Sequence, residues 1–301
     1  MIRFRGFSKR FGRQQAVAEL TLDVAPGEVV ALLGPNGSGK TTSLKAAAGL
    51  VRPTGGEVTI GDPPRAASDP AARNACSYLP QKVSFAEALT GREVVDFYRA
   101  LRSVSPERTD EVLTFAALNG AAARAVGTYS GGMVQRLGLA VAMLADVAVL
   151  LLDEPTAALD PEGLSAFYGL VERRKTQGRA VFFTSHQLGD AERLADRFAV
   201  LIGGRLVADF GQRELARRLA DRGCMRLRLS HCPDELLADV KATSPRAQWF
   251  PATCELVLPG AATERPAQLD VIRRAAVDID ALSTEEGRLD DLYRDLVKEG
   301  A

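Results

Sequence analysis

Nine consecutive residues, Gly34–Thr42, carry the residue types that hold phosphate groups. They are Gly34, Pro35, Asn36, Gly37, Ser38, Gly39, Lys40, Thr41 and Thr42. Glycines let backbone N–H groups turn inward around an anion, and a helix that begins here adds its positive end. Lys40 adds a positive charge for the β- and γ-phosphates, and the Thr41 hydroxyl is a ligand for Mg²⁺. The spacing G-x-x-x-x-G-K-T therefore predicts a nucleotide-binding P-loop.

Two adjacent acids, Asp153 and Glu154, follow the apolar run Val147–Leu152. A strand buried on both faces delivers the side chains after it to the carboxyl edge of a sheet, where open α/β sheets bind ligands. There Asp153 is suited to hold Mg²⁺, and Glu154 is suited to orient and polarise an attacking water. An Asp-Glu pair alone also fits a solvated loop, but the P-loop in the same chain favours phosphoryl transfer.

The elements around these motifs determine how they are positioned. The P-loop lies between the short apolar run Val29–Leu33, which predicts a buried strand, and the helical stretch Ser43–Leu50. Strands and helices then alternate as far as residue 195, a pattern typical of a mostly parallel sheet with helices on both faces. Upstream, two short stretches alternate between apolar and polar residues as half-buried strands do, one with Ile2, Phe4 and Phe7 and the other with Leu20, Leu22 and Val24. The predicted fold class is α/β.

Kinases, small GTPases, helicases and transport ATPases share the P-loop and the acidic pair, and a third segment distinguishes among these classes. Tyr129–Met133 reads Tyr-Ser-Gly-Gly-Met and resembles the signature Leu-Ser-Gly-Gly-Gln of the ATP-binding cassette (ABC) ATPases. Other segments that resemble family elements occur in the expected order. They are Phe11-Gly12 as the adenine-stacking aromatic, Gln81 as the Q-loop glutamine, Ala157–Asp160 as the D-loop and Ser185-His186 as the H-loop. The resemblance covers about residues 1–215.

The resemblance implies a P-loop NTPase with a RecA-like core, an antiparallel β subdomain and a helical insert at about residues 82–129. It implies an ATP hydrolase that binds ATP and Mg²⁺, with Lys40, Glu154 and His186 as catalytic residues. The implied ATP contacts are Phe11, Gly34, Pro35, Asn36, Gly37, Ser38, Gly39, Lys40, Thr41, Thr42, Gln81, Ser130, Gly131, Gly132 and Asp160, and the implied metal contacts are Thr41, Gln81 and Asp153. It also implies a second copy as partner, because in the family the signature of one subunit closes on the γ-phosphate held by the other.

The signature departs from the family pattern at two positions, where Tyr129 replaces leucine and Met133 replaces glutamine. Ser130, Gly131 and Gly132 remain, and they open a helix that we predict to begin near Met133. The N-terminal end of a helix holds anions. We therefore expect the phosphate contacts of the signature to survive, and the departure concerns only the contribution of the missing glutamine.

Single-cassette chains with a C-terminal extension resemble the ATPase subunits of export-type transporters, which implies an integral membrane permease as partner. Tyr78–Phe85 and Leu89–Glu93 look most like the subunit associated with copper-site maturation of nitrous oxide reductase. Drug, sodium and polysaccharide exporters are competing resemblances. A non-transport ABC ATPase acting on ribosomes or nucleic acid usually has two cassettes or a long coiled-coil insert. A small-molecule P-loop kinase is disfavoured by the signature and the Asp-Glu pair.

The composition disfavours several other classes. The 301 residues include 38 basic and 38 acidic side chains, and a net charge of zero provides no field to hold nucleic acid or an anionic membrane. The most apolar window, Leu137–Leu152, is interrupted by Asp146 and is shorter than the roughly 20 residues of a membrane span. The N-terminal residues do not read as a secretory signal, and the four cysteines form no C-x-x-C pair. We expect a cytoplasmic protein that reaches the inner face of the membrane only through the permease.

Composition changes near residue 220, so we predict an ATPase domain at residues 1–220 and an accessory domain at residues 221–301. The second stretch predicts the order β-α-β-β-α-β, which suggests a small ferredoxin-like α+β unit. Cys224, Cys232 and Cys254 are spaced unlike metal ligands, and His231 has no partner motif. We expect this domain to regulate the ATPase or to contact a second copy.

Overall fold

A computed structural model describes residues 1–300. The chain forms two compact units, one mainly Met1–Phe210 and the other Gly211–Lys298. This division falls ten residues before the predicted 220/221 boundary, because the helix Gln212–Ala220 groups with the second unit. One contact that holds it there is the Leu219 carbonyl, which accepts a hydrogen bond from the backbone N–H of Gly287 at 3.1 Å.

Among residues 1–211, the first unit contains two sheets and seven helices longer than a 3₁₀ turn. Its strands are β1 (Ile2–Phe11), β2 (Gln14–Val24), β3 (Val29–Leu33), β4 (Gly55–Ile60), β5 (Arg65–Ala66), β6 (Cys76–Leu79), β7 (Val149–Asp153), β8 (Ala180–Thr184), β9 (Arg197–Ile202) and β10 (Arg205–Gly211). Its helices are α1 (Lys40–Ala47), α2 (Pro70–Asn74), α3 (Gly91–Leu101), α4 (Glu107–Phe115), α5 (Gly131–Ala142), α6 (Pro161–Thr176) and α7 (Leu188–Leu194).

The smaller sheet of this unit has the order β2-β1-β4-β5, and all three of its pairings are antiparallel. Alternating apolar residues of β1 point inward, as the sequence pattern predicts, so Ile2, Phe4 and Phe7 are fully buried. They pack into one core with residues of the larger sheet, and the Phe4 and Phe182 rings lie 6.0 Å apart between centroids. The predicted antiparallel β subdomain is therefore present and shares its core with the larger sheet.

The larger sheet has the order β10-β9-β3-β8-β7-β6, with parallel pairing from β9 through β6. Strands β3, β7 and β8 are buried along their whole length, as expected for central strands covered on both faces. Because these strands are parallel, their carboxyl ends meet at one edge. The P-loop follows β3, Asp153 ends β7, and Thr184 ends β8 at that edge.

Helices α3, α4 and α5 form a helical layer with its own apolar cluster. A capping box starts α3, where the Thr90 hydroxyl accepts from the Glu93 N–H and the Glu93 carboxylate accepts from the Thr90 N–H. The cluster extends to Leu144, beyond the predicted insert at residues 82–129, because α5 packs against α3 and α4. Phe97 and Leu101 of α3 are outside this cluster, with 55% and 66% of their surfaces exposed.

The second unit contains the predicted order of elements. After helix α8 (Gln212–Ala220) come β11 (Cys224–Leu229), α9 (Asp234–Thr243), β12 (Gln248–Phe250), β13 (Glu255–Pro259), α10 (Arg265–Arg274), β14 (Ile279–Glu285) and α11 (Leu289–Gly300). The sheet order is β12-β13-β11-β14, with antiparallel pairing throughout. The β-α-β-β-α-β order of a ferredoxin-like unit is thereby confirmed.

Candidate functional site

A cavity of about 420 Å³ opens at the carboxyl edge of the larger sheet. Its lining residues are Phe11, Gln14, Ala16, Asn36, Gly37, Gly39, Lys40, Thr41, Thr42, Gln81 and Glu154. Four predicted segments that are far apart in the sequence therefore line one space: the Phe11 aromatic, the P-loop, Gln81 and Glu154.

The P-loop backbone adopts a conformation that only glycine tolerates at its last turn. Gly39 has φ of +102°, and a Cβ atom there would lie 2.4 Å from the Ala16 carbonyl oxygen. Helix α1 begins at the next residue, Lys40, so its N-terminal N–H groups face the cavity edge. The Ser38 hydroxyl is buried and has no hydrogen-bond partner among the described residues. Because buried polar groups are nearly always paired, this hydroxyl is a candidate donor to a bound anion.

Lys40 is buried with its ammonium group held by the loop. Its Nζ donates to the Gly34 carbonyl oxygen at 2.6 Å and to the Pro35 carbonyl oxygen at 3.1 Å. Burial lowers the pKa of Lys40, while the nearby carboxylates of Glu154 and Asp153 act in the opposite direction. The loop thus holds a cation close to two acids at the place where phosphate charge would be neutralised.

Asp153 is 1% exposed, and hydroxyl groups surround its carboxylate. Its Oδ1 accepts from the Thr41 hydroxyl at 3.1 Å and from the Thr184 hydroxyl at 2.8 Å, and its Oδ2 accepts from the Tyr78 hydroxyl at 3.5 Å. Burial, with a smaller effect from Asp153, raises the pKa of Tyr78, which keeps this phenol protonated. A carboxylate beside a threonine hydroxyl is an all-oxygen donor set, so Thr41 and Asp153 fit the preference of Mg²⁺.

Glu154 is 8% exposed and forms the centre of a second group of contacts. Its Oε2 accepts from the Gln81 side-chain amide at 2.8 Å and lies 3.2 Å from His186 Nδ1. Its φ is +49°, a value that non-glycine residues seldom adopt. The structure therefore joins three predicted site residues, Gln81, Glu154 and His186, through one carboxylate oxygen.

The signature and the D-loop residue lie outside this cavity. The Ser130 hydroxyl caps α5 by accepting from the Met133 N–H at 3.3 Å, and Gly131 is the first helical residue, two positions before the predicted start. Asp160 caps α6 by accepting from the Gly163 N–H at 2.8 Å. None of Ser130, Gly131 and Asp160 lines the space around Lys40, and Gly131 and Asp160 are exposed at the surface.

Sequence reasoning did not identify Thr184 or Tyr78 as site residues. In the sequence, Thr184 follows the apolar run Ala180–Phe183, and Tyr78 lies three residues before Gln81. One signal was available for Thr184, since a hydroxyl that ends a fully buried parallel strand must find a partner at the same edge as Asp153. Tyr78 carries no comparable signal.

Comparison with known proteins gives relatives over most of the first unit. A family model described as ABC transporter matches residues 17–157. The uncharacterised ABC transporter ATP-binding protein YdbJ of Bacillus subtilis is 36% identical over 211 residues, which cover 69% of this chain and 68% of the relative. The Nod factor export ATP-binding protein I of Rhizobium etli is 34% identical over 227 residues, covering 74% of this chain and 71% of the relative.

Solved structures of ABC ATP-binding proteins are also similar to this chain. An ATP-binding subunit of an ABC transporter superimposes with a TM-score of 0.67 at 26% identity, over 72% of this chain and 92% of its own. A dimeric, post-hydrolysis structure of the ATP-binding cassette MJ0796 bound to ADP and Pi gives 0.63 at 26% identity, over 70% of this chain and 99% of its own. The chain is therefore an ATP hydrolase and belongs to the family of ABC transporter ATP-binding proteins.

Proposed function

We propose that the chain powers an export-type permease by closing and reopening as a pair of identical copies around ATP. The separation of two groups of residues carries this proposal. Lys40, Thr41, Gln81 and Glu154 line one cavity, whereas the helix start at Ser130 does not reach it. A helix start that lies outside the cavity of its own P-loop is suited to bind the nucleotide of a second copy.

The residues of this site have different roles in phosphoryl transfer. The P-loop N–H groups and Lys40 bind the β- and γ-phosphates, and Thr41, Asp153 and Gln81 would hold Mg²⁺. When bound, Mg²⁺ neutralises charge on the phosphate oxygens. Glu154 orients the attacking water and accepts its proton.

His186 and Gln81 both contact the same Glu154 oxygen, so each is placed to report the state of the γ-phosphate to the remainder of the chain. The side chain of His186 is exposed, so a second copy can reach it when the pair closes. Product release then reopens the pair, and the permease converts this cycle into substrate movement.

Phe11 is the residue that we propose to stack on adenine. Its ring lines the cavity and is 51% exposed, with Lys9 Nζ 4.9 Å from the ring centroid. Stacking of a base on an aromatic ring contributes about 1–3 kcal/mol, so Phe11→Ala should weaken ATP binding roughly 5- to 150-fold. Titration calorimetry measures this change. Phe11→Trp serves as the control and should bind ATP about as tightly as the parent; equal affinity of Phe11→Ala and the parent contradicts the stacking role.

We assign the binding of the permease to a second cavity, of about 300 Å³. It lies between α3, α5 and the segment after Gln81, and it contains two cations, Lys82 and Arg102, with the rings of Phe85 and Tyr98. The two rings are 6.0 Å apart and meet edge to face. Such a groove fits a short helix with apolar residues and an acidic residue. Residues 82–85 follow Gln81 directly, which connects the groove to the nucleotide cavity.

Filling this groove tests the permease assignment. Ser84 lines it, so Ser84→Trp should block entry of a partner helix and reduce recovery of the permease at least about tenfold, which corresponds to ~1.4 kcal/mol. The measurement is the amount of membrane protein that co-purifies with the tagged chain from detergent-solubilised membranes. Ser84→Ala is the control and should recover the permease as the parent does. Undiminished recovery with Ser84→Trp places the permease elsewhere.

The proposals that the chain serves an exporter and that this exporter has a particular substrate rest on resemblance to known proteins. Two observations favour export: the C-terminal unit after the cassette, and a relative that is named for Nod factor export. Copper-site maturation of nitrous oxide reductase stays a prediction from Tyr78–Phe85 and Leu89–Glu93. Among residues 1–300, no helix has the length and apolar character to cross a bilayer. We propose that contact with the membrane is made through the permease, and the same purification identifies that permease and with it the transported class.

A further inference from the structure

We infer that Thr184 is a positioning residue for ATP hydrolysis, because one hydroxyl group orients both the carboxylate of Asp153 and the backbone that carries Glu154. The inference deepens the proposed function and rests on the roles proposed there for these two acids. It assigns to Thr184 no contact with ATP.

The parallel register of two strands places Thr184 where it can act on both acids. Thr184 ends β8, and it is the register partner of Asp153 at the end of β7. The residue is fully buried. Its hydroxyl donates to Asp153 Oδ1 at 2.8 Å and accepts from the Glu154 N–H at 2.9 Å. Because the Glu154 N–H donates to a lone pair of the Thr184 hydroxyl oxygen, the hydroxyl hydrogen of Thr184 points to Asp153.

The contact with Thr184 fixes the orientation of the Asp153 carboxylate, which would hold Mg²⁺ together with Thr41. The same oxygen, Oδ1, also accepts from the Thr41 hydroxyl at 3.1 Å, so two donors from different elements fix it. With Thr41 turned toward a metal ion, Thr184 is the donor that remains on this oxygen. Groups that orient the ligands of a metal in this way typically change metal affinity or activity about 10- to 100-fold when removed.

The contact with Glu154 holds an unusual backbone. Glu154 has φ of +49° and is almost completely buried, so its N–H points into the protein rather than to solvent. The hydroxyl of Thr184 is the acceptor for that N–H. A residue with a methyl group in place of this oxygen leaves the N–H without its acceptor, and a buried amide that loses its partner drives the local backbone to another conformation. The Glu154 carboxylate would then leave its position between Gln81 and His186.

Thr184→Val and Thr184→Ser separate the hydroxyl from the methyl group. Valine keeps the volume and removes the oxygen, whereas serine keeps the oxygen. We expect Thr184→Val to lower kcat about 10- to 100-fold with the KM for ATP within about threefold of the parent, and Thr184→Ser to stay within about threefold in both. Binding of Mn²⁺ in the presence of ATP, followed by electron paramagnetic resonance, should weaken about tenfold for valine and little for serine.

Each outcome decides the inference. Thr184→Val with parental kcat and Mn²⁺ affinity overturns it, and so does a Thr184→Ser variant that is as impaired as Thr184→Val, because the methyl group would then be responsible. If Thr184→Val does not fold by circular dichroism, Thr184→Ala takes its place in the comparison with serine. Glu154→Gln, measured in the same experiment, distinguishes a failure of the proposed catalytic function from a failure of the role of Thr184. A parental rate in Glu154→Gln refutes the catalytic assignment, whereas a slow Glu154→Gln with a fast Thr184→Val refutes only the role of Thr184.

Discussion

Glu154→Gln should lower ATP turnover by a factor on the order of 10²–10⁴ while ATP still binds. The amide keeps the shape of the side chain and can hydrogen-bond a water, but it has no charge to polarise the water and does not accept its proton. Lys40, Thr41 and Asp153 remain in place, so nucleotide affinity should change little. Phosphate release and calorimetric ATP binding, measured on the same preparation, give the two numbers.

A matched control for this substitution is Glu172→Gln, an equal loss of charge at an exposed position of α6. Its turnover should equal that of the parent. If Glu154→Gln hydrolyses ATP as fast as Glu172→Gln, Glu154 is not the catalytic carboxylate, and the base must be sought among the other groups at the strand ends.

Slow hydrolysis in Glu154→Gln should also trap the closed pair of chains. With ATP and Mg²⁺, size-exclusion chromatography should show a dimer that is absent without nucleotide. Adding Ser130→Arg should abolish this dimer, because a large side chain then blocks the helix start proposed to hold the partner's phosphate. A Glu154→Gln variant that stays monomeric with ATP contradicts the paired mechanism. The run is repeated on residues 1–210, since the C-terminal unit is itself a candidate dimer contact.

Lys40→Ala should weaken ATP binding at least about 100-fold, which corresponds to ~2.7 kcal/mol, and abolish measurable hydrolysis. Lys40 is the single cation among the described residues that line the nucleotide cavity. Its removal leaves the β- and γ-phosphates without a point charge and beside the negative charge of Glu154. Fluorescence titration with a labelled nucleotide measures the loss.

Lys45→Ala, on the same helix α1, controls for the loss of a lysine as such. It lies outside the cavity lining and should bind ATP as the parent does. Parental affinity in Lys40→Ala, with a folded chain by circular dichroism, would remove the P-loop assignment and with it the nucleotide site.

The sequence by itself predicted the proposed chemistry where the residues concerned are close together along the chain. Gly34–Thr42 contains every residue of the proposed phosphate-binding loop, and the backbone conformation of this loop depends on glycines that are close together along the chain. Asp153 ends β7 and Glu154 follows it, and Ser130 is the N-cap of α5. These features depend on local backbone geometry, so residue types and spacing predicted them, although α5 begins two residues before its predicted start. The order of elements in the C-terminal unit was predictable for the same reason, because each strand and helix has its own period of apolar residues.

Only the tertiary structure decided how these segments act on one another. The register of β7 and β8 places the Thr184 hydroxyl between two acids, and register depends on packing between strands that are far apart in the sequence. The meeting of Gln81 and His186 at one oxygen of Glu154 likewise depends on the ends of different strands.

Burial and domain division were decided in the same way. In α3, Phe97 and Leu101 are exposed whereas Val94 and Val95 are buried, so the apolar character of a helical residue does not by itself show whether another element covers it. The division of the chain at Phe210 rather than at residue 220 follows from contacts of α8 with distant residues such as Gly287. A sequence pattern records the preference of each segment, whereas pairing, register and burial are properties of the segments that meet in the folded chain.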